Sequence, residues 1–309
     1  MKKKRGKWPS AGRLWWLFNY NRKRGWATAW MEYRVMPQIL RWRVPVDFPI
    51  EDRVEIHLLT SSKDWLYAAW MLASFFHFTR RRWRVVVHED GTCDSEDLAT
   101  LAEIIPDLRV IRRVEADAEM EERLAAFPAC RAYRQEHALA MKIFDVPAMA
   151  ATPRVLLLDS DVLFYREPQE ILDWVDREAA ETWFNSDFQH SLNISAGEAL
   201  EKWGIKLWPL VNSGLVLLEP KILELDFCEA CLVEGTIRTK GWKWCVEQTL
   251  FSLCASRAGR GGLLPVSKYE VSYGEQAAPD VTARHYVGFV RQQFFSEGLR
   301  RLQSVLLGH

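Results

Sequence analysis

The feature that most restricts this chain is an alternation of apolar strands and helices that runs from residue 54 to residue 161. "VEIHLLTSS" (54–62) reads as a strand ending in helix-capping residues, and "DWLYAAWMLASFFHF" (64–78) follows as a strongly apolar helix. "RVVVHED" (84–90) is a second strand, and "DSEDLATLAEII" (94–105) is a helix with acids in its first turn, where they complement the helix dipole. "LRVIRRV" (108–114) is a third strand, "EHALAMKIFDV" (136–146) a helix expected to stop at Pro147, and "PRVLLLDSD" (153–161) a fourth strand. This pattern predicts an α/β fold with a mostly parallel, Rossmann-like central sheet, right-handed crossovers and helices on both faces. The nearly unbroken apolar runs "RVVV" and "VLLL" fit strands covered on both sides.

Beyond residue 170 the pattern loosens. "ETWF" (181–184) and "NSGLVLLEP" (212–220) read as strands, "CVEQTLFSLCAS" (245–256) as a helix, and "RAGRGG" (257–262) as a turn. "FNSD" within 184–187 holds two groups able to bind sugar hydroxyls, Asn185 and Asp187, but the composition favours a plain turn. There is no internal repeat, so the economical division is one domain over 46–309 behind an extension over 1–45.

That extension is where charge matters. Residues 1–45 carry twelve Lys/Arg and one acid, Glu32, while the rest of the chain has 29 bases against 40 acids, although the whole is neutral. Mixed with the aromatics of "RLWWLFNYNRKRGWATAW" (13–30), this charge suits packing on the acidic body or peripheral contact with an anionic membrane. Nucleic acid is disfavoured because no nucleic-acid-binding motif accompanies it. The longest apolar run in the extension, "LWWLF" (14–18), is too short for a spanning helix or a secretory signal, so a cytoplasmic location is expected. Six cysteines occur, with Cys228 and Cys231 spaced C-x-x-C. A second knuckle of that spacing is missing, so reduced, buried thiols are expected rather than a zinc site.

The chemistry-bearing residues come in two groups. "LLLDSDVLFY" (156–165) places Asp159 and Asp161 at the end of an aliphatic strand, where ligands of open α/β sheets bind. Two carboxylates at i and i+2 reach one cation if the strand breaks into a turn there, and hard oxygen ligands suit Mg²⁺ or Mn²⁺. "RHYVGFVRQQFFSEG" (284–298) adds an imidazole at His285, a close-approach glycine at Gly288 and a forked cation at Arg291. Each element alone is also compatible with an ordinary strand end or surface loop.

Together with "LVNSGLVLLEP" (210–220) and "EQTLFSL" (247–253), these segments resemble glycosyltransferase family 8 and its relatives in order and approximate spacing. Those are retaining enzymes of the GT-A fold that use nucleotide-diphosphate sugars. The resemblance covers residues 54 to about 295. It implies Asp159, Asp161 and His285 as metal ligands, with Gly288 and Arg291 at the diphosphate, Arg291 standing where the family has lysine. Lys142 matches a donor-reaching family arginine. Thr60, Ser61 and Ser62 would hold base and ribose, and Ser160 and Gly214 would complete the donor site. Asn212, Glu247 and Gln248 would lie at the reacting sugar, with Glu247 in the place of an aspartate. Thr249 stands where the family has a second acid, and "RQQ" (291–293) replaces a lysine–proline–tryptophan run.

The implied activity is metal-dependent transfer of a sugar, with a UDP-sugar as the first candidate donor, to a glycan, lipid-linked or other hydroxyl acceptor with retention. The competing readings are a non-catalytic sugar-nucleotide or glycan-binding protein of the same fold, and a nucleotidyltransferase. The latter wants a glycine-rich loop after the first strand, which "LLTSSKDW" (58–65) lacks.

Overall fold

A computed structural model describes residues 11–179 and 181–308. The first ten residues of the basic extension lie outside the described residues. Ten strands form among the described residues: β1 (Ile50–Thr60), β2 (Arg82–Glu89), β3 (Leu108–Ile111), β4 (Val155–Leu158), β5 (Val162–Phe164), β6 (Thr182–Ser186), β7 (Val211–Leu218), β8 (Gly261–Leu263), β9 (Tyr269–Val271) and β10 (Ala283–His285). Seven make the central sheet in the order β3-β2-β1-β4-β7-β6-β8. β3, β2, β1 and β4 are parallel, and β7 enters antiparallel between β4 and β6. A second sheet, β5-β10-β9, stands beside the end of β4.

Alternation along the central strands supplies two cores. Leu156 and Leu158 of β4, with Leu215 and Leu217 of β7, pack into one core with helix Trp65–Thr79; Val155, Leu157, Val216 and Leu218 pack into the other with helices Ala140–Met149 and Cys245–Ala258. Every residue of β4 and β7 is buried. A strand with two dry faces needs apolar residues at both parities, so these strands read as runs and not as alternations.

The extension joins the first core. After helices Ala11–Arg24 and Trp26–Trp30, the chain seats Met31, Val35, Met36, Ile39 and Val44 in that core, and Trp70 Nε1 donates to the Met36 carbonyl at 2.9 Å. Trp15, Trp26 and Trp30 remain exposed. No helix among the described residues is long and apolar enough to cross a membrane. The six cysteines are buried free thiols, with the Cys228 and Cys254 sulfurs 3.8 Å apart.

Three local expectations are corrected. Pro147 does not stop its helix but lies inside Ala140–Met149, while Glu136 ends a separate helix, Pro128–Glu136. The missing proline N–H falls near the end of the helix, and burial of Ile143, Phe144, Val146 and Met149 in the second core outweighs its loss. The third strand ends at Ile111, and Arg113–Arg123 is helical. Asn185 and Ser186 do not turn; they belong to β6 and pair with Asn212 and Val211 of β7.

Candidate active site

Where β4 leaves the sheet, the chain turns through Asp159, Ser160 and Asp161 before continuing as β5. The turn is held on all sides: the Asp159 amide donates to the Gly214 carbonyl of β7 at 2.8 Å, the Val162 amide to the Asp159 carbonyl at 3.2 Å, and the Tyr286 amide to the Asp161 carbonyl at 3.0 Å. β10 runs antiparallel to β5 with His285 opposite Val162, which carries the imidazole onto the two acids. His285 Nε2 lies 3.1 Å from Asp161 Oδ1 and 3.9 Å from Asp159 Oδ2.

The other ring nitrogen is fixed. His285 Nδ1 lies 2.9 Å from Asn212 Oδ1, and that same oxygen accepts from the Gly214 amide at 3.0 Å. The Asn212 atom facing the ring is therefore the acceptor, and Nδ1 carries the proton. Nε2 is left to face the carboxylates. Burial disfavours the charged ring, but Asp161 and then Asp159 raise the His285 pKa above the ordinary histidine value. Burial likewise works against ionised Asp161, yet His285 and Arg291 hold its pKa below the usual range.

Ligand atoms of Asp159, Asp161 and His285 all lie within 4.8 Å of one another. Two carboxylates and an imidazole whose far nitrogen donates to an amide oxygen are a donor set that fits a divalent cation such as Mn²⁺ or Mg²⁺. Gly214 gives the ring its space, since a Cβ there would overlap the imidazole. Gly214, expected among the donor-binding residues, is buried beneath His285, where the absence of a side chain admits the ring.

Ser213 points to the opposite face of β7. Its hydroxyl donates to Glu247 Oε2 at 2.8 Å, and its amide donates to Gln248 Oε1 at 3.3 Å. Lys142, buried on helix Ala140–Met149, sets its ammonium 2.5 Å from Asp159 Oδ1 and 3.6 Å from Glu247 Oε1. Burial opposes that charge, but Asp159 and Glu247 hold the ammonium well above the usual lysine range. Burial pushes Glu247 up to about 7, against the pull of Lys142. Gln248 Nε2 donates to the Ser191 carbonyl at 3.1 Å and lies 3.5 Å from Asp187 Oδ2, which also accepts from Asn212 Nδ2 at 3.3 Å.

Arg291 closes one side. Its Nη2 donates to Asp64 Oδ1 at 2.6 Å, its Nε lies 3.4 Å from Asp161 Oδ2, and its guanidinium carbon sits 4.2 Å from the centre of the Tyr67 ring. Lys142, Asp159, Asp161, Asn212, Glu247, Gln248, His285 and Gly288 thus converge on one cleft of about 720 Å³. Ser62 and Arg291 line a neighbouring hollow of about 540 Å³ with Asp64 and Tyr67. Thr60 is buried at the end of β1, Ser61 donates its hydroxyl to Asp64 Oδ2 at 2.6 Å, and Ser160 is buried within its turn.

The overall fold superposes on solved structures. Mouse xyloside xylosyltransferase 1 superposes with a TM-score of 0.55 at 12% identity, covering 77% of this chain and 98% of that one. The galactosyltransferase LgtC, solved with donor and acceptor sugar analogues, gives 0.56 at 14%, covering 82% and 96%. The chain has the GT-A fold. The bifunctional glycosyltransferase WbbM also matches, with a TM-score of 0.51 at 14% identity over 79% of this chain and 47% of that one. No family model matches the sequence, and neither does any curated protein.

Three residues of this region, Asp64, Trp242 and Trp244, escaped the sequence reading. Asp64 was visible only as a helix start, whereas Asp187 was named as able to bind sugar hydroxyls within an expected turn. Trp242 and Trp244, in "GWKWC" (241–245), line the cleft as well. Two tryptophans flanking a lysine just ahead of a helix were the available signal.

Proposed function

We propose that this protein is a metal-dependent glycosyltransferase that moves a sugar from a nucleotide-diphosphate donor, a UDP-sugar first, to a hydroxyl acceptor with retention of configuration. The observation that carries the reading is the approach of His285 Nε2 to Asp161 at 3.1 Å, with Nδ1 tethered to Asn212, at the floor of a cleft in a GT-A fold. The solved relatives of this fold are glycosyltransferases by name, LgtC with donor and acceptor analogues bound.

Asp159, Asp161 and His285 would hold the cation, which when bound supplies Lewis-acid stabilisation to a diphosphate leaving group. Lys142 and Arg291 bring fixed positive charge to the same region, where growing negative charge on the departing diphosphate needs it. Gly288 is exposed, with open space where a Cβ would stand, and so leaves room for phosphate oxygens. Ser62 and Asp64 line the hollow that Arg291 and Tyr67 share, and this hollow would offer the nucleoside a place. Gln248 and Asn212 line the cleft and would lie beside the reacting sugar. Glu247 is engaged by Ser213 and Lys142, which suits a charge-balancing role better than covalent attack. We therefore favour displacement on the face the leaving group vacates, with the departing phosphate oxygen taking the acceptor proton.

The test is thermal stabilisation by a panel of nucleotide sugars with and without Mn²⁺. Stabilisation by one of them that requires Mn²⁺ supports the reading, and no shift with any, under either condition, overturns it. Release of nucleotide diphosphate from the bound donor then separates an enzyme from a binding protein.

We also propose that residues 1–45 form a membrane-facing extension on a catalytic domain spanning 46–309. Trp15, Trp26 and Trp30 are 70%, 55% and 61% exposed on consecutive helices, and Arg22, Lys23 and Arg34 lie on the same segment. Such a surface suits an anionic bilayer interface. Residues 31–44 contribute to the core, so the test is substitution and not truncation. Flotation with anionic vesicles should be lost when the three tryptophans become serine.

A further inference from the structure

Trp242 and Trp244 are 64% and 55% exposed, an unusual cost for two of the largest apolar side chains. Their rings are stacked, with centroids 4.7 Å apart and planes 13° from parallel. The pair is held in place from below. Asn193, buried, donates from Nδ2 to the carbonyls of Trp242 at 2.9 Å and Ile237 at 2.8 Å, and its Oδ1 accepts from the Trp242 amide at 3.1 Å. The Asn193 amide in turn donates to Thr249 Oγ1 at 2.9 Å, which ties the loop to helix Cys245–Ala258. Gly241, with φ of +65°, presses so closely on Asn193 that a Cβ there would overlap its amide. The Cys245 amide closes the turn on the Trp242 carbonyl at 2.9 Å. A loop fastened this firmly, displaying rings with few rotatable bonds, is preorganised to bind.

Both rings line the cleft that holds Lys142, Gln248 and His285, and Phe188, packed on Tyr273 with ring centroids 4.0 Å apart, lines it as well. The same cleft is lined by Asp187, whose Oδ2 is shared by Asn212 and Gln248, and by His190. Aromatic faces beside hydrogen-bonding groups match a pyranose ring, which offers a sheet of C–H groups on one side and hydroxyls around its rim.

We propose that the Trp242–Trp244 pair is the acceptor platform and that the acceptor ends in a sugar whose C–H face stacks on it. This rests on the glycosyltransferase reading above and narrows the hydroxyl acceptor to a glycan. Asp64 and Arg291 line a separate hollow that neither tryptophan lines, so a nucleoside seated there leaves the tryptophans to the second substrate.

The test uses the whole protein with Mg²⁺ and UDP. Methyl β-galactoside, methyl β-glucoside, lactose and cellobiose serve as probes, followed by saturation-transfer NMR. At least one should bind the wild type saturably and bind Trp242→Ala/Trp244→Ala about tenfold more weakly, the scale expected for lost aromatic stacking. Trp242→Phe/Trp244→Phe should recover most of the loss. Nucleotide-sugar stabilisation should persist in the alanine variant. Equal glycoside binding in wild type and alanine variant, or no glycoside binding to the wild type, overturns the platform. Loss of nucleotide-sugar binding in the alanine variant also overturns it, by assigning the pair to the donor. Failure of the wild type to bind any nucleotide sugar would instead remove the transferase reading beneath it.

Discussion

Asn212 Oδ1 stands 2.9 Å from His285 Nδ1, and that one contact decides which nitrogen of the imidazole the two aspartates see. Removing it in Asn212→Ala frees the ring to rotate or change tautomer. Mn²⁺ affinity, read by calorimetry or by the loss of free Mn²⁺ signal in electron paramagnetic resonance, should fall about 10- to 100-fold, as for other outer partners of a metal-binding histidine. The melting temperature without metal should move much less than the affinity. Unchanged Mn²⁺ binding would count against the cation site itself.

Gly214→Ala attacks the same ring from below. The added methyl overlaps the His285 imidazole, and β7 is buried on both faces with no slack to absorb it. We expect about 1–3 kcal/mol of lost stability from overpacking, measured by urea denaturation, together with loss of Mn²⁺ binding. Gly214→Ala/His285→Ala should regain the stability and not the metal.

Lys142 is the sole cation within 4 Å of both Asp159 and Glu247 among the described residues. Lys142→Met leaves a buried acid cluster without its counter-charge and should cost about 3 kcal/mol by urea denaturation. Glu247→Gln in the same background should recover part of it, because the two groups share one interaction. Additive losses would mean that the pair is not coupled.

A pH dependence follows from a second buried cluster. Glu55 Oε2 lies 3.3 Å from His57 Nε2, and His57 Nδ1 lies 2.9 Å from His88 Nε2, deep between β1 and β2. Burial lowers the pKa of both histidines; Arg109 adds to this for each, and His57 and Arg134 add to it for His88. Depressed folded-state values mean that the unfolded chain binds more protons, so stability is full above about pH 6.5 and falls as the pH drops below it, by up to about 1.4 kcal/mol per histidine per pH unit. Glu247, raised to about 7, acts in the opposite sense over the same range. The reading is therefore a difference: between pH 7 and 5, His88→Gln should lose less melting temperature than the wild type. Parallel curves would refute it.

What the sequence disclosed follows the range of the interactions involved. β4 and its two acids were legible because a strand buried on both faces must be apolar throughout, and its end is marked where carboxylates begin. His285 was placed beside them only through the resemblance, since pairing of β10 with β5 joins segments more than a hundred residues apart. The turn expected at Asn185 and Ser186 does not form because, although their neighbours have turn-like composition, pairing with β7 straightens them. Asp64 gave no sign of meeting Arg291 across the fold. Pro147 misled because a local rule about missing N–H groups was outweighed by burial of the helix around it.

The alternation of side chains along β7 has a further consequence. Asn212 and Gly214 serve the imidazole from one side of that strand, and Ser213 serves Glu247 and Gln248 from the other, so three consecutive residues divide the machinery between two walls. Since neighbours along a strand point oppositely, sliding this segment by a single residue would exchange those walls wholesale. Length changes within 211–218 are thus closed to this architecture.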